Sequence, residues 1–116
     1  MNVAAIIKYC AKLPAVTQDV KWGADQVSSV GGKMFCVAYE DEGRAMVSFK
    51  VDDDLFLQLT DRAGFVPAPY MARNKWVQVN ELKKISDAEL KSLLRRSHEL
   101  VAAKLTKKLR AELGLV

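Results

Sequence analysis

A chain of 116 residues and 12.9 kDa is one domain's worth, here residues 1–116 taken together. At this size folding buries roughly two thirds of the unfolded chain's surface, so neither disulfide nor metal is required for stability, and 50% apolar with 28% charged residues excludes a disordered tail protein. The net charge of +4 is uneven: residues 1–60 carry 6 basic and 8 acidic side chains and residues 61–116 carry 12 and 6, a basic half that suits a polyanionic partner or the solvated back of a helix.

Val3, Ile6, Ile7, Cys10 and Leu13 recur at helical spacing behind Asn2, a suitable N-cap, and Pro14 stops the helix by driving its predecessor out of helical geometry. Strand patterns start at Val27–Val30. Gly31-Gly32 is a hairpin signal, and Lys33 to Tyr39 is the returning strand. Asp41-Glu42-Gly43 suits a three-residue loop before a third strand, Arg44 to Lys50. That loop sets Glu40 opposite Arg44, which puts Phe35, Val37 and Tyr39 with Ala45, Val47 and Phe49 on the face assigned to the core.

Asp52-Asp53-Asp54 reads as carboxylates at the start of a helix over Leu55–Leu59, favoured there by the helix dipole, and Gly64 is the expected stop. Pro67 and Pro69 force an extended run from Phe65 to Tyr70. Lys75 to Val79 alternates as a strand, Trp76 and Gln78 on one side, Val77 and Val79 on the other. Ser86-Asp87-Ala88-Glu89 is a capping box opening the last helix, whose apolar stripe runs Leu90, Leu93, Leu94, Ser97, Val101, Leu105. Lys108 falls in that stripe, so the tail is expected to project or fray. The order α-βββ-α-β(β)-α defines an α+β domain, helices packed on one face of an antiparallel sheet. Phe35, Val37, Val47, Phe49, Leu90, Leu94, Val101 and Leu105 are expected to share one core.

Catalytic patterns are poor. The lone His98 sits at the edge of the helical stripe with no nucleophile-and-base arrangement around it, so it reads as a boundary residue. Cys10 and Cys36 have neither metal nor redox spacing and read as buried small hydrophobes of a reducing cytoplasm. Gly31-Gly32-Lys33 lacks the spacing of a phosphate loop and precedes a strand. No enzyme activity, metal or cofactor is expected, and the chain shows neither a signal-peptide pattern nor a membrane span. A binding surface is left: Tyr70-Met71-Ala72-Arg73-Asn74-Lys75-Trp76 sets two cations and an amide between two aromatics, a pattern that suits phosphate contact and stacking. A turn between two core anchors would look the same.

Leu13-Pro14, the run Val30 to Phe35, Ser48-Phe49-Lys50, Pro69-Tyr70 leading to Trp76-Val77, and Ser97 to Val101 resemble, in order and spacing, the MmcQ/YjbR family of small bacterial proteins. The chain departs from that pattern at Met71, where many members have histidine, and at His98, where many have tyrosine. The resemblance implies a CyaY-like or secretion-chaperone-like fold and a non-enzymatic DNA-binding role. That role falls on Lys33, Lys50, Arg73, Asn74 and Lys75, meeting the phosphates of double-stranded DNA as a monomer or weak dimer. The alternative it leaves is a protein-interaction or chaperone-like module that uses the open sheet face.

Overall fold

Asn2 opens the first helix, α1 (Val3–Ala11), its side-chain oxygen accepting the Ala5 amide at 2.8 Å, and Pro14 lies in the turn beyond the helix end. The computed structural model describes residues 1–115. It continues with β1 (Val16–Lys21), β2 (Asp25–Val30), β3 (Lys33–Asp41), β4 (Arg44–Lys50), α2 (Asp53–Thr60), β5 (Phe65–Pro67), β6 (Trp76–Val79), α3 (Asp87–Ala102) and α4 (Lys107–Glu112). The strands form one antiparallel sheet in the order β1-β2-β3-β4-β6-β5, with the helices on one face. This is the α+β architecture the pattern implied. No helix among the described residues is long and apolar enough to cross a membrane.

The core fills the space between the helices and the covered face, with Ile6, Phe35, Phe49, Leu90 and Leu94 its largest fully buried members and Val47, Val101 and Leu105 among the rest. One expected member is missing. The β3–β4 hairpin turns on two residues, Glu42 and Gly43, both left-handed (φ 52° and 77°), so Asp41 faces Arg44 rather than Glu40 doing so. The one-residue difference exchanges the faces of β3. Cys36 and Ala38 pack inward beside Phe49 and Val47, while Val37 and Tyr39 turn to the open face opposite Ser48 and Met46. Phe35 keeps its place in the core because β3 bulges there: Ser28 faces Cys36, Ser29 faces Met34, and Phe35 is the extra residue between.

Three further expectations change. β1 was not foreseen; apart from Val16 it is exposed along its length, an edge strand held by pairing with β2 rather than by an apolar face. α2 stops at Thr60, four residues before Gly64, and Gly64 instead makes the left-handed turn (φ 88°) into β5. α3 ends at Ala102, and the tail neither frays nor projects. Thr106 caps α4 by accepting the Leu109 amide at 3.1 Å, and Leu109, Leu113 and Leu115 fold back against the core. The break restarts the helical phase, which takes Lys108 out of the apolar stripe and leaves it exposed.

Candidate functional site

The register of the sheet sets Val27, Val37, Ser48 and Gln78 side by side on the open face, one from each of β2, β3, β4 and β6. Around this row lies a largely apolar groove of about 560 Å³. Met34, Tyr39 and Trp76 extend its floor, Trp22 and Asp25 enter from the β1–β2 hairpin, and Ala68 to Met71 enter from the β5–β6 connection. Val27, Ala68 and Trp76 are buried yet belong to no part of the core beneath the helices, so the open face carries its own thin apolar layer. Trp76 is thus an anchor, but of the groove.

Tyr70 is not an anchor of any kind. It is fully exposed, and Trp22 is 68% exposed, a degree that isolated loop aromatics in a folded domain do not need for stability. Both have left-handed backbone, φ 51° at Trp22 and 65° at Tyr70, which costs an aromatic residue on the order of 1–3 kcal/mol. The floor also holds polar groups. The Gln78 amide nitrogen donates to the Tyr39 hydroxyl at 3.0 Å. Ser48 is 8% exposed, and its hydroxyl has no hydrogen-bond partner among the described residues.

The cations singled out in the sequence gather at one end of the sheet. Lys50 ends β4, and its ammonium donates to the Asn74 carbonyl at 2.6 Å; the Lys75 carbonyl accepts the Val51 amide at 2.9 Å. Arg73 shares the 3₁₀ turn with Asn74, and Lys75 sits left-handed (φ 62°) with its ammonium 5.2 Å from the centre of the Phe56 ring. Burial, with Lys104 and Lys75 nearby, lowers the Lys50 ammonium from its ordinary value, partly offset by Asp53. Lys104 was not foreseen, because the last helix was expected to run through it. Lys33 follows the Gly31-Gly32 turn at the same end. A Cβ on Gly31 would lie 2.5 Å from Leu105, so that turn is pressed against the residue after Lys104. Among the described residues Lys33 makes no side-chain hydrogen bond to Lys50, Arg73, Asn74 or Lys75.

The YjbR family model matches residues 11–100. The chain belongs to that family. A solved Deinococcus radiodurans protein with a DUF419 domain is 26% identical, with a TM-score of 0.88 over 99% of this chain and 89% of that one. A Pseudomonas syringae protein, at 22% identity, shares the fold alone, with a TM-score of 0.73 over 87% of this chain and 99% of that one. Comparison with the curated proteins finds no match.

The Ser97-His98 pair is accounted for by packing. The Ser97 hydroxyl accepts the Lys50 amide at 2.9 Å and donates to the Phe35 carbonyl at 2.7 Å, pinning α3 to β4 and to the bulge of β3. His98 is buried, with Nε2 2.8 Å from the Pro14 carbonyl oxygen and its ring edge-on to Phe35 at 5.2 Å. Cys10 and Cys36 are both buried free thiols, and donation of its hydrogen to the Cys10 sulfur, together with burial, pushes the Cys36 thiol well above its ordinary value. In the acidic triplet, Asp52 occupies the N-cap without capping through its side chain; its carboxylate takes two bonds from Arg96, at 2.8 and 2.9 Å. Asp53 and Asp54 occupy the first turn of α2, as the dipole favours. Among the described residues no three His, Cys, Asp or Glu side chains gather as metal ligands would.

Proposed function

We propose that this YjbR-family domain is a non-enzymatic binding module whose ligand is a small organic molecule with an apolar body, seated in the groove on the open sheet face. The observation that carries the reading is the groove's construction. Strained, exposed Trp22 and Tyr70 flank a floor on which Ser48 and the Gln78 carbonyl offer hydrogen bonds that no described residue takes up. A groove of this volume, mostly apolar with a few polar groups, is the usual form of a small-molecule site. Its boundary of loops at both ends suits a compact ligand better than an extended protein strand. The test is titration with the neutral fluorophore N-phenyl-1-naphthylamine. One-to-one enhancement is expected, weakened by roughly tenfold when Trp22 and Tyr70 are both replaced by alanine; no saturable enhancement would overturn the reading.

A second reading, contact with the phosphates of duplex DNA, is supported by the meeting of Lys50, Asn74 and Lys75 beside Arg73 and Lys104, with Lys33 at the same end of the sheet. Burial first, and then repulsion from Lys104 and Lys75, lower the Lys50 ammonium, and an anion placed there would offset both. Each phosphate contact adds about 0.9 to the magnitude of the slope of log affinity against log salt. Replacing Arg73 and Lys75 by alanine should therefore flatten that slope by up to about two contacts' worth, without changing sequence preference. Equal slopes would remove the reading.

A further inference from the structure

We infer that the ligand of the groove is a small organic cation, an ammonium or guanidinium group carried on an apolar or aromatic body; the inference rests on the groove being the ligand site. Trp22, Tyr39, Tyr70 and Trp76 reach the groove from four separate segments of the chain. Aromatic faces are electronegative, and a set of them around one space favours a cation. Among the described residues Asp25 is the only Asp, Glu, Lys, Arg or His in the lining. Its cross-strand neighbour is Lys21, yet among the described residues Asp25 makes no ion pair, so its carboxylate stays available to a ligand. This matters in a chain whose net charge is +4: the groove excludes the charge that prevails elsewhere.

The polar groups of the floor agree with the charge. The Asp25 carboxylate, the Ser48 hydroxyl oxygen and the Gln78 carbonyl oxygen are acceptors, and none is committed to a donor among the described residues. The Gln78 amide nitrogen gives one of its two hydrogens to Tyr39. A donor-rich head group would satisfy these acceptors, while its apolar body lay against Met34, Val37 and Trp76. A carboxylate or phosphate there would face Asp25 and the aromatic faces with no cation in the lining to offset either. The cationic end of the sheet and the groove therefore select opposite charges, although the segment from Tyr70 to Lys75 contributes to both.

Both tryptophans of the protein line the groove, so intrinsic fluorescence reads its occupancy directly. The experiment titrates the full chain at fixed ionic strength with three probes of similar body: benzylammonium, benzyl alcohol and phenylacetate. Benzylammonium should bind saturably and about tenfold more tightly than benzyl alcohol, with phenylacetate weakest. Asp25→Asn should bring the cation close to the neutral probe, and circular dichroism checks that this near-isosteric variant is folded. If the neutral or anionic probe matches the cation in the wild-type protein, the cation inference falls while the groove remains a ligand site. If none of the probes gives a saturable response, and N-phenyl-1-naphthylamine gives none either, the groove reading falls with it.

Discussion

On β3, Ala38 is 1% exposed beneath the helices, while Val37 and Tyr39 on either side of it line a groove open to solvent. The two faces of the sheet are thus built by alternate residues of the same strands and meet different demands. The covered face is continuous with Ile6, Leu90 and Leu94 and contributes the stability of the domain. The open face has only a thin apolar layer and retains a feature that a stability-driven surface would lose, two left-handed aromatics. Such strain persists where the rest of the structure can hold it in place. In this domain the helix-covered face does the holding.

The comparison breaks first at Phe49. Phe49→Ala empties the covered face and should cost about 3–5 kcal/mol, measured by urea unfolding. A loss below about half a kcal/mol would mean that the covered face is not the stabilising one. A finer test uses neighbours on one strand. Ala38→Leu forces three extra carbons into a filled core and should cost about 1–3 kcal/mol, whereas Val37→Leu adds one carbon toward the groove and should cost less than about 1 kcal/mol. Equal costs would restore the register in which Val37 faces inward.

Local signals were legible in the sequence. Asn2 and Ser86 cap the helices they precede, Gly31-Gly32 makes its hairpin, and the sides of Trp76–Val79 alternate as their residue types indicate. The features that failed depend on partners far along the chain or on unfavoured backbone. β1 has no apolar face of its own, so only pairing with β2 defines it. The two-residue turn needs Glu42 at positive φ, a place where Asn, Asp or Gly is the usual signal. Because that turn sets the faces of β3, the misread register also hid the groove: it assigned Val37 and Tyr39 to the core. The groove residues run from Trp22 to Gln78 in sequence, and only the sheet register joins them. The cationic end was easier to foresee, since Lys50 ends one strand and Lys75 precedes the next, but Lys104 depended on a helix break marked only by Thr106.

The smallest expected effect concerns how the helices are held over the covered face. Two ion pairs tie the α2 region to α3: Arg96 to Asp52 at the start of α2, and Arg62 beyond its end to Glu89, the latter by bonds of 2.6 and 2.7 Å. The Arg96 guanidinium lowers the Asp52 carboxyl, and the Arg62 guanidinium lowers that of Glu89, each against an opposing effect of burial. A carboxyl that is more acidic in the folded state than in the unfolded chain adds stability that is complete above its unfolded pKa, about 4. That stability is lost as pH falls through the lower folded value. Both pairs are partly exposed, so their share is small and salt weakens it. The urea midpoint should therefore fall between pH 6 and pH 3 at low salt, and fall by less in a protein carrying Arg62→Gln and Arg96→Gln. The groove lies on the other face, so probe binding at pH 6 should be the same in the variant and the wild type. An identical acid drop in both proteins would show that these pairs do not couple α2 to α3; weakened probe binding in the variant would show that the two faces of the sheet are not energetically separate.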